Sequence, residues 1–290
     1  MPYQILAIII WSSAFIAAKY THDMIDTVLM LQIRMILAAG AVLPVCRRHL
    51  GSIPEDKWRP LLLLSFINYV VVLMLQFVGL EYTSAASAAT MIGLEPLVIV
   101  FVGHFFFNDR AQNYHWLCGL AAFIGVGILI YGGGGGGGEI GLFGCLLVFL
   151  GGVAFCGSLR PTQKLIADIG APAYTSVSLL LAALMYLPVS LLFAEDYTVN
   201  WSWQGGISLL YLGIGCGWFA YWLWNKGMNS VSANLSGLLT SLEPIFGVLF
   251  AMWFLDEKIS PVSGLGMTLV IAAAAAAGII PRLRQKRQTA

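Results

Sequence analysis

The chain has 290 residues, of which 59% are hydrophobic and only 10% are charged, and its mean hydropathy is +0.84. Soluble proteins carry about 25% charged residues, so this composition excludes an ordinary soluble domain. The formal net charge of +1 gives no electrostatic basis for binding nucleic acid.

Ten apolar segments each reach the length of about 20 residues that a helix needs to cross a bilayer. They lie at approximately 3–20, 28–45, 60–80, 84–107, 113–131, 139–157, 172–193, 203–225, 232–255 and 261–280. No basic region precedes the first segment, so we interpret it as a retained helix rather than a signal peptide. The sequence therefore predicts an all-α integral membrane protein with ten transmembrane helices.

The Lys and Arg residues fall mainly on one side of this predicted topology. With the N-terminus in the cytoplasm, twelve of the fifteen lie in cytoplasmic loops or in the C-terminal tail. The outer loops hold only Lys19 and Lys258, and Arg34 lies inside the second segment. By the positive-inside rule, we expect both termini to be cytoplasmic.

A glycine run at 132–138 divides the ten segments into two sets of five. Because no Lys-Ser/Thr pair follows this run, it is not a phosphate-binding P-loop, and we expect a flexible linker. The two flanking parts, 1–131 and 139–281, are predicted to be structural repeats. The remaining residues, 282–290, form a short basic tail that we expect in the cytoplasm.

The two sets share a polar motif inside an apolar segment. Leu94-Glu95-Pro96 in the fourth segment recurs 148 residues later as Leu242-Glu243-Pro244 in the ninth. An acid–base pair follows each copy, as Asp109-Arg110 and as Glu257-Lys258. Because five is an odd number, the second set enters the membrane from the opposite side. Inverted repeats of this kind are the architecture of secondary transporters.

These features resemble the EamA family of the drug/metabolite transporter superfamily. The stretch from Trp11-Ser12-Ser13-Ala14-Phe15 to Lys19 is similar to the family's first-helix signature, and Phe155-Cys156-Gly157-Ser158 is a weaker copy of it. Arg34 stands where the family often has an arginine in its second helix. The resemblance implies a secondary transporter of the bacterial inner membrane that exports small metabolites, often amino acids or toxic compounds.

Glu95 and Glu243 each lie near the middle of an apolar run, where a carboxylate costs about 2.5–3.5 kcal/mol or more. In two inverted repeats they are expected to approach each other near mid-depth. One interpretation is that they accept a proton or a substrate ammonium group. The other is that they brace helices broken by the adjacent prolines, Pro96 and Pro244, which we interpret as helix kinks that help form a cavity.

Further candidates for the cavity lining come from five of the segments. The eighth segment carries an aromatic stripe on one helical face, formed by Tyr211, Trp218, Trp222 and Asn225, with Tyr221 and Trp224 off this face. The remaining candidates are Trp11, Ser12 and Phe15 in the first segment, Tyr69 and Gln76 in the third, and Met91 and Thr240 beside the Glu-Pro pairs. Core packing or close helix contacts remain open as alternatives for each of them. For Arg34, a structural role such as extending toward the membrane surface is favoured over neutralising a carboxylate.

The sequence therefore predicts a secondary exporter that works by alternating access and takes amino acids or related neutral or cationic compounds. Efflux of drugs or toxic compounds is the alternative, and an integral-membrane enzyme or scaffold is the alternative from another class. We expect a small-molecule substrate, a proton as the candidate coupling ion, and the lipid bilayer as partners. We expect neither nucleic acid, cofactor nor metal, and a monomer or weak homodimer.

Overall fold

The computed structural model describes residues 2–106, 111–132, 141–230, 236 and 239–288. Every regular element within these residues is helical. The elements are α1 (Pro2–His22), α2 (Thr27–His49), α3 (Glu55–Glu81), α4 (Ala85–Phe106), α5 (Asn113–Tyr131), α6 (Leu142–Ile169), α7 (Ala171–Phe193), α8 (Trp203–Met228), α9 (Glu243–Phe254) and α10 (Pro261–Gln288). The Asp109-Arg110 pair and most of the predicted glycine linker lie outside the described residues.

Seven of these helices, α1 to α4 and α6 to α8, are long and apolar enough to cross a membrane. The other three, α5, α9 and α10, contain shorter apolar stretches in the part of the chain that the structure describes. Helix α10 continues to Gln288, so the predicted basic tail begins as helix. An all-helical membrane protein is therefore confirmed. The described helices overlap the apolar segments, although α6 continues to Ile169, well beyond the predicted end at 157.

The helices run between two ends of the molecule, which we name by their polar contacts. At the Lys57 end, the Lys57 Nζ atom lies 2.7 Å from Asp168 Oδ2 and joins the start of α3 to the end of α6. At the Glu257 end, the Glu257 carboxylate accepts hydrogen bonds from the backbone N–H groups of Ala85 and Ala86, at 2.9 and 3.1 Å. A carboxylate in this position satisfies the free N–H groups at the start of α4.

Helices of the two halves pack against each other in a pattern that is unchanged when the halves are exchanged. Helix α2 packs on α7, α4 on α9 and α5 on α10, while α3 packs on α6 and α1 on α8. The α3–α6 contact requires glycine on both sides, because a Cβ atom added to Gly79 would lie 2.8 Å from the Gly144 carbonyl oxygen. Small residues at such crossings are typical of helix packing in membranes.

Helices α4 and α9 both change course at their Glu-Pro pairs. The first half of α4 (α4a, Ala85–Ile92) ends just before Gly93-Leu94, and the second half (α4b, Glu95–Phe106) begins at Glu95. A short 3₁₀ turn, Thr240–Leu242, precedes the start of α9 at Glu243. Proline is tolerated in the first turn of a helix, because its missing N–H has no partner there. Each proline thus stands in the first turn of a new helical segment.

Helices α3 and α8 each contain a π-helical segment, at Phe66–Val71 and at Tyr211–Phe219. The two segments occupy equivalent places in the two halves, since a shift of 148 residues carries the first onto the second. A π-helix bonds each N–H to the carbonyl five residues back and is frequently found at functional sites. Side chains that follow the segment therefore point in directions that a regular α-helix would not give.

Buried apolar side chains fill both ends of the bundle. One cluster reaches the Glu257 end and includes Ala18, Met30 and Phe77. A second cluster reaches the Lys57 end and includes Leu61 and Trp224. The broken helices α4 and α9 cross between these clusters, and their crossing places Glu95 and Glu243 inside the bundle.

Candidate functional site

A cavity of about 50 Å³ lies beside the breaks in α4 and α9, and its other walls come from α1, α2, α3, α6 and α8. Because one water molecule needs about 10–15 Å³ on this measure, the cavity holds only a few waters and must widen to hold a metabolite. Its lining comes from both halves of the chain: Trp11, Ala14, Phe15, Arg34, Val72, Leu73, Gln76, Phe77, Ile92, Glu95, Phe155, Tyr221, Thr240 and Glu243. The two Glu-Pro motifs therefore meet at one cavity.

Glu95 and Glu243 each begin a helical segment at this cavity, which places their carboxyl groups where the helix dipole favours negative charge. The two side chains are close enough for their charges to interact. Glu95 is 3% exposed, and the Thr240 hydroxyl lies within hydrogen-bonding range of its carboxylate. Within the described residues, Glu95 Oε2 is buried and has no hydrogen-bond partner.

Arg34 also faces this cavity and does not extend toward the membrane surface. Its side chain is 1% exposed, and its guanidinium carbon lies 4.9 Å from the centre of the Phe77 ring. The Nε and Nη1 atoms are buried without a hydrogen-bond partner among the residues that the structure describes. The predicted extension of Arg34 toward the membrane surface is therefore wrong, and this cation borders the same cavity as the two carboxyl groups.

Five aromatic side chains close the cavity toward the Lys57 end, and we call them the aromatic barrier: Trp11, Tyr69, Phe155, Tyr221 and Trp224. The ring of Tyr221 lies 4.8 Å from that of Trp11 and 4.7 Å from that of Tyr69. Trp224 in turn lies 5.3 Å from Trp11 and 6.0 Å from Phe155. Such offset ring pairs stabilise packing by about 0.5–1.5 kcal/mol each beyond their area.

A second, smaller cavity of about 10 Å³ lies on the other side of this barrier. Five polar residues of its lining, which we call the polar pocket, are Asn68, Ser158, Thr162, Tyr174 and Asn225. The Asn68 amide nitrogen donates to Thr162 Oγ1 at 3.0 Å and to the Tyr174 hydroxyl at 3.3 Å, and its oxygen accepts from Ser158 at 2.5 Å. These bonds join α3 of the first half to α6 and α7 of the second.

The structure brings most of the predicted cavity residues together. Six of the twelve line the central cavity: Trp11, Phe15, Gln76, Glu95, Thr240 and Glu243. Two more, Tyr69 and Asn225, line the smaller cavity. The remaining four, Ser12, Met91, Trp218 and Trp222, are absent from both linings.

The four displaced residues have local partners instead. Ser12 donates its hydroxyl to the Ile8 carbonyl oxygen at 2.7 Å, and Met91 is buried in the apolar core. Trp218 packs against that core from outside. Trp222 stacks on Phe219 with ring centres 6.0 Å apart and lies under the Lys226 ammonium group.

The π-helical segment of α8 explains why the predicted aromatic stripe is misplaced. The stripe assumes 3.6 residues per turn, and a π-helix has more, so the residues after Phe219 are rotated about the helix axis. Tyr221 and Trp224 consequently face the cavities in place of Trp218 and Trp222. The periodicity of the sequence does not reveal this change. The cavity residue Phe155, in contrast, does have a signal in the sequence, because it begins the weaker copy of the motif that starts at Trp11.

The described residues contain no group of three or more His, Cys, Asp or Glu side chains that could hold a metal ion. The lining of the central cavity supplies two carboxyl groups, one guanidinium, one amide, the Thr240 hydroxyl and an aromatic wall. Such a set can hold a ligand by charge and by ring contacts.

Comparison with known proteins identifies similar chains. The model of the EamA-like transporter family matches residues 2–131 and 142–278. An uncharacterized transporter of Haemophilus influenzae is 52% identical over 48% of this chain and 83% of its own length. An uncharacterized transporter of Archaeoglobus fulgidus is 24% identical over 92% of this chain and 93% of its own. A solved crystal structure at 20% identity has a TM-score of 0.68 and covers 97% of this chain and 96% of its own, which shows the same fold.

Proposed function

This chain belongs to the EamA-like transporter family, and on that basis we propose that it is a secondary transporter that exports small metabolites by alternating access. The substrates that we propose are amino acids or related neutral or cationic compounds. The observation that carries the proposal is the cavity beside the breaks in α4 and α9, which Glu95 and Glu243 both line. Buried ionisable groups inside membrane helices mark substrate or ion pathways.

The packing of the helices supports two inverted five-helix repeats. A twofold axis that relates two equivalent halves pairs each helix near the axis with its counterpart. The structure has this pairing for α2 with α7, α4 with α9 and α5 with α10. The cavity lining also contains equivalent pairs, such as Glu95 with Glu243 and Ile92 with Thr240, each 148 residues apart. Transporters of this architecture hold their substrate at the interface of the repeats.

Alternating access requires that each side of the cavity open in turn. The aromatic barrier closes the side toward the Lys57 end, and its rings come from α1, α3, α6 and α8. Because these helices belong to both halves, a rotation of one half against the other separates Tyr69 from Tyr221. We place the Lys57 end at the cytoplasmic face of a bacterial inner membrane, with both termini cytoplasmic, because the Lys and Arg residues concentrate there.

We assign Glu95 and Glu243 to substrate or proton binding rather than to bracing alone. Glu95 Oε2 has no partner in the described part of the chain, and a carboxyl group that serves only as a brace would use both of its oxygens. Efflux of cationic drugs is the second candidate, because the two carboxyl groups and the aromatic barrier suit a flat cation. The cation at Arg34 argues against this second candidate.

Substrate counterflow in liposomes that contain the purified protein tests the proposal. Vesicles preloaded with unlabelled neutral amino acids are expected to accumulate the labelled compound transiently, without ATP. Vesicles that lack the protein, and vesicles with the double variant Glu95→Gln and Glu243→Gln, serve as controls. Absence of counterflow over a broad panel of amino acids, amines and cationic drugs would overturn the assignment as a secondary transporter.

A further inference from the structure

Arg34 is an unusual feature of the central cavity. A guanidinium group buried in a membrane protein is costly unless it is paired with other groups. Arg34 is 1% exposed, yet its Nε and Nη1 atoms have no hydrogen-bond partner among the described residues. Each of these nitrogens carries an N–H donor that can hydrogen-bond an anionic oxygen such as that of a carboxylate.

The nearby glutamates do not neutralise this cation by direct contact. The ion pairs that the structure shows among its described residues are those of Lys57 with Asp56 and with Asp168, and neither includes Arg34. Glu95 Oε2 likewise lacks a partner. Free donors of a cation and a free oxygen of a carboxyl group therefore border the same cavity.

We propose that Arg34 is the anchor for the carboxylate of a zwitterionic substrate, whose ammonium group lies toward Glu95 and Glu243. This inference rests on the proposed function and specifies its substrate class. A small molecule with one carboxylate and one ammonium group satisfies both ends of the cavity at once. A cationic drug leaves the Arg34 donors unpaired and places a second positive charge beside them.

Phe77 holds the guanidinium group in position. Its ring lies 4.9 Å from the Arg34 guanidinium carbon, a distance at which the ring face attracts a cation. This contact leaves the edge of the guanidinium plane free to bind a carboxylate. Lysine at the same place would keep the charge and lose the two-pronged geometry.

The repeat relation shows that this feature is specific to one half. A shift of 144 residues, which aligns Ala38-Ala39 of α2 with Ala182-Ala183 of α7, carries Arg34 onto Ser178. Ser178 Oγ lies 3.3 Å from the Tyr69 hydroxyl and is absent from the lining of the central cavity. The helices are thus repeated in the two halves, but the positive charge of Arg34 is not. This asymmetry suits a ligand that has a carboxylate at one end and an ammonium group at the other.

The test compares each neutral L-α-amino acid with its methyl ester and with the amine that lacks the carboxyl group. Each compound is used to compete in the counterflow assay and to stabilise the purified protein against heat. For the wild-type chain, at least one amino acid is expected to bind about 10- to 150-fold more tightly than its ester, the range that one charge-assisted hydrogen-bonded contact supplies.

In the Arg34→Gln variant, the ratio of acid to ester affinity is expected to fall to about one. In Arg34→Lys, the ratio is expected to lie between these values, because charge remains without the fork. Arg48→Gln is the matched control, since it removes an exposed arginine at the end of the same helix and should leave the ratio unchanged. The ratio is measured within one protein sample, so a lower yield of folded protein does not affect it.

The possible failures are distinguishable. If no compound of any class gives counterflow, the proposed transport function fails and this inference fails with it. If esters and amines compete as well as the acids, or if Arg34→Gln keeps the wild-type ratio, the protein remains a transporter and the role of Arg34 is overturned.

Discussion

The two sides of the central cavity differ, although they are built from equivalent helices. The polar pocket on the Lys57 side contains Asn68, Ser158, Thr162, Tyr174 and Asn225. Shifts of 144 or 148 residues carry these onto apolar or weakly polar side chains on the Glu257 side, namely Cys216, Ala14, Ala18, Met30 and Phe77. All five of the latter belong to one buried apolar cluster.

This difference indicates that the two sides open at different cost. Exposing apolar surface costs about 25 cal/mol per Å². Polar groups that separate on the Lys57 side exchange their mutual hydrogen bonds for bonds to water, at a net cost of about 0.5–1.5 kcal/mol per bond. We therefore expect the Lys57 side to open more readily. If that side faces the cytoplasm, the substrate-free protein loads from the cytoplasm, as an exporter requires.

The largest effect is expected where the two sides meet, at Glu95 and Glu243. Glu95→Gln should lower the counterflow rate by about tenfold or more, because one hydrogen-bonded charge contributes about 1.5–3 kcal/mol. Glu243→Gln should have a smaller effect, since Glu243 is the less buried of the two. Counterflow rates at acidic and neutral pH, with thermal unfolding as a control for folding, measure both effects. Normal rates at both pH values in both variants would show that the carboxyl groups are structural.

The polar pocket offers the next test, because one substitution makes it resemble its apolar counterpart. Asn68→Leu removes the amide that binds Ser158, Thr162 and Tyr174. The free energy of unfolding should fall by about 1–3 kcal/mol, because these buried hydroxyl groups lose a partner. Cys216→Ala, at the equivalent place on the other side, should have a smaller effect on thermal unfolding of the purified protein. Equal losses in the two variants would remove the distinction between the sides.

The aromatic barrier is tested by giving α8 the residue that α3 has at the equivalent place. Tyr221→Leu matches Leu73 and removes two ring contacts, with Trp11 and Tyr69. Since each ring pair contributes about 0.5–1.5 kcal/mol, the loss of both should make the cavity open toward the Lys57 end about 5- to 150-fold more often. The labelling rate of a cysteine introduced at Gln76 reports this opening, with Trp222→Leu, outside the barrier, as the control. An unchanged rate in Tyr221→Leu would show that the barrier does not control access.

The smallest effect is expected at the surface ion pair of the Lys57 end. Lys57 contacts Asp168 at 2.7 Å, and this contact joins the two halves. Asp168→Asn should change the opening rate by less than about fivefold, because exposed ion pairs contribute little. The effect should disappear at high salt, which screens exposed charges. A change larger than that of Tyr221→Leu would place the main closure at this ion pair instead of at the rings.

The positions of the helices could be predicted from the sequence because lipid requires long apolar runs, and few other arrangements satisfy that requirement. The central position of Glu95 and Glu243 follows from the same rule, since a carboxyl group far from either end of an apolar run has no water nearby. The cavity residues of α1, such as Trp11 and Phe15, are also signalled, because polar groups and rings cluster in that stretch.

Two parts of the site could not be predicted, for different physical reasons. The face of α8 depends on a π-helical segment that the periodicity of the sequence does not encode, so the predicted stripe leaves out Tyr221. The direction of Arg34 depends on which neighbours α2 contacts, because a long side chain can either extend to the membrane surface or turn inward. The pairing of α2 with α7 decides this, and a single sequence does not state that pairing.

Accessibility of the cavity from the two sides of the membrane tests the central claim most directly. A cysteine introduced at Gln76, after replacement of the five native cysteines, is exposed to an impermeant maleimide in sealed vesicles of either orientation. We predict labelling from both sides, faster from the Lys57 side, and slower from both when a transported substrate is bound. Labelling from one side alone would contradict alternating access through this cavity.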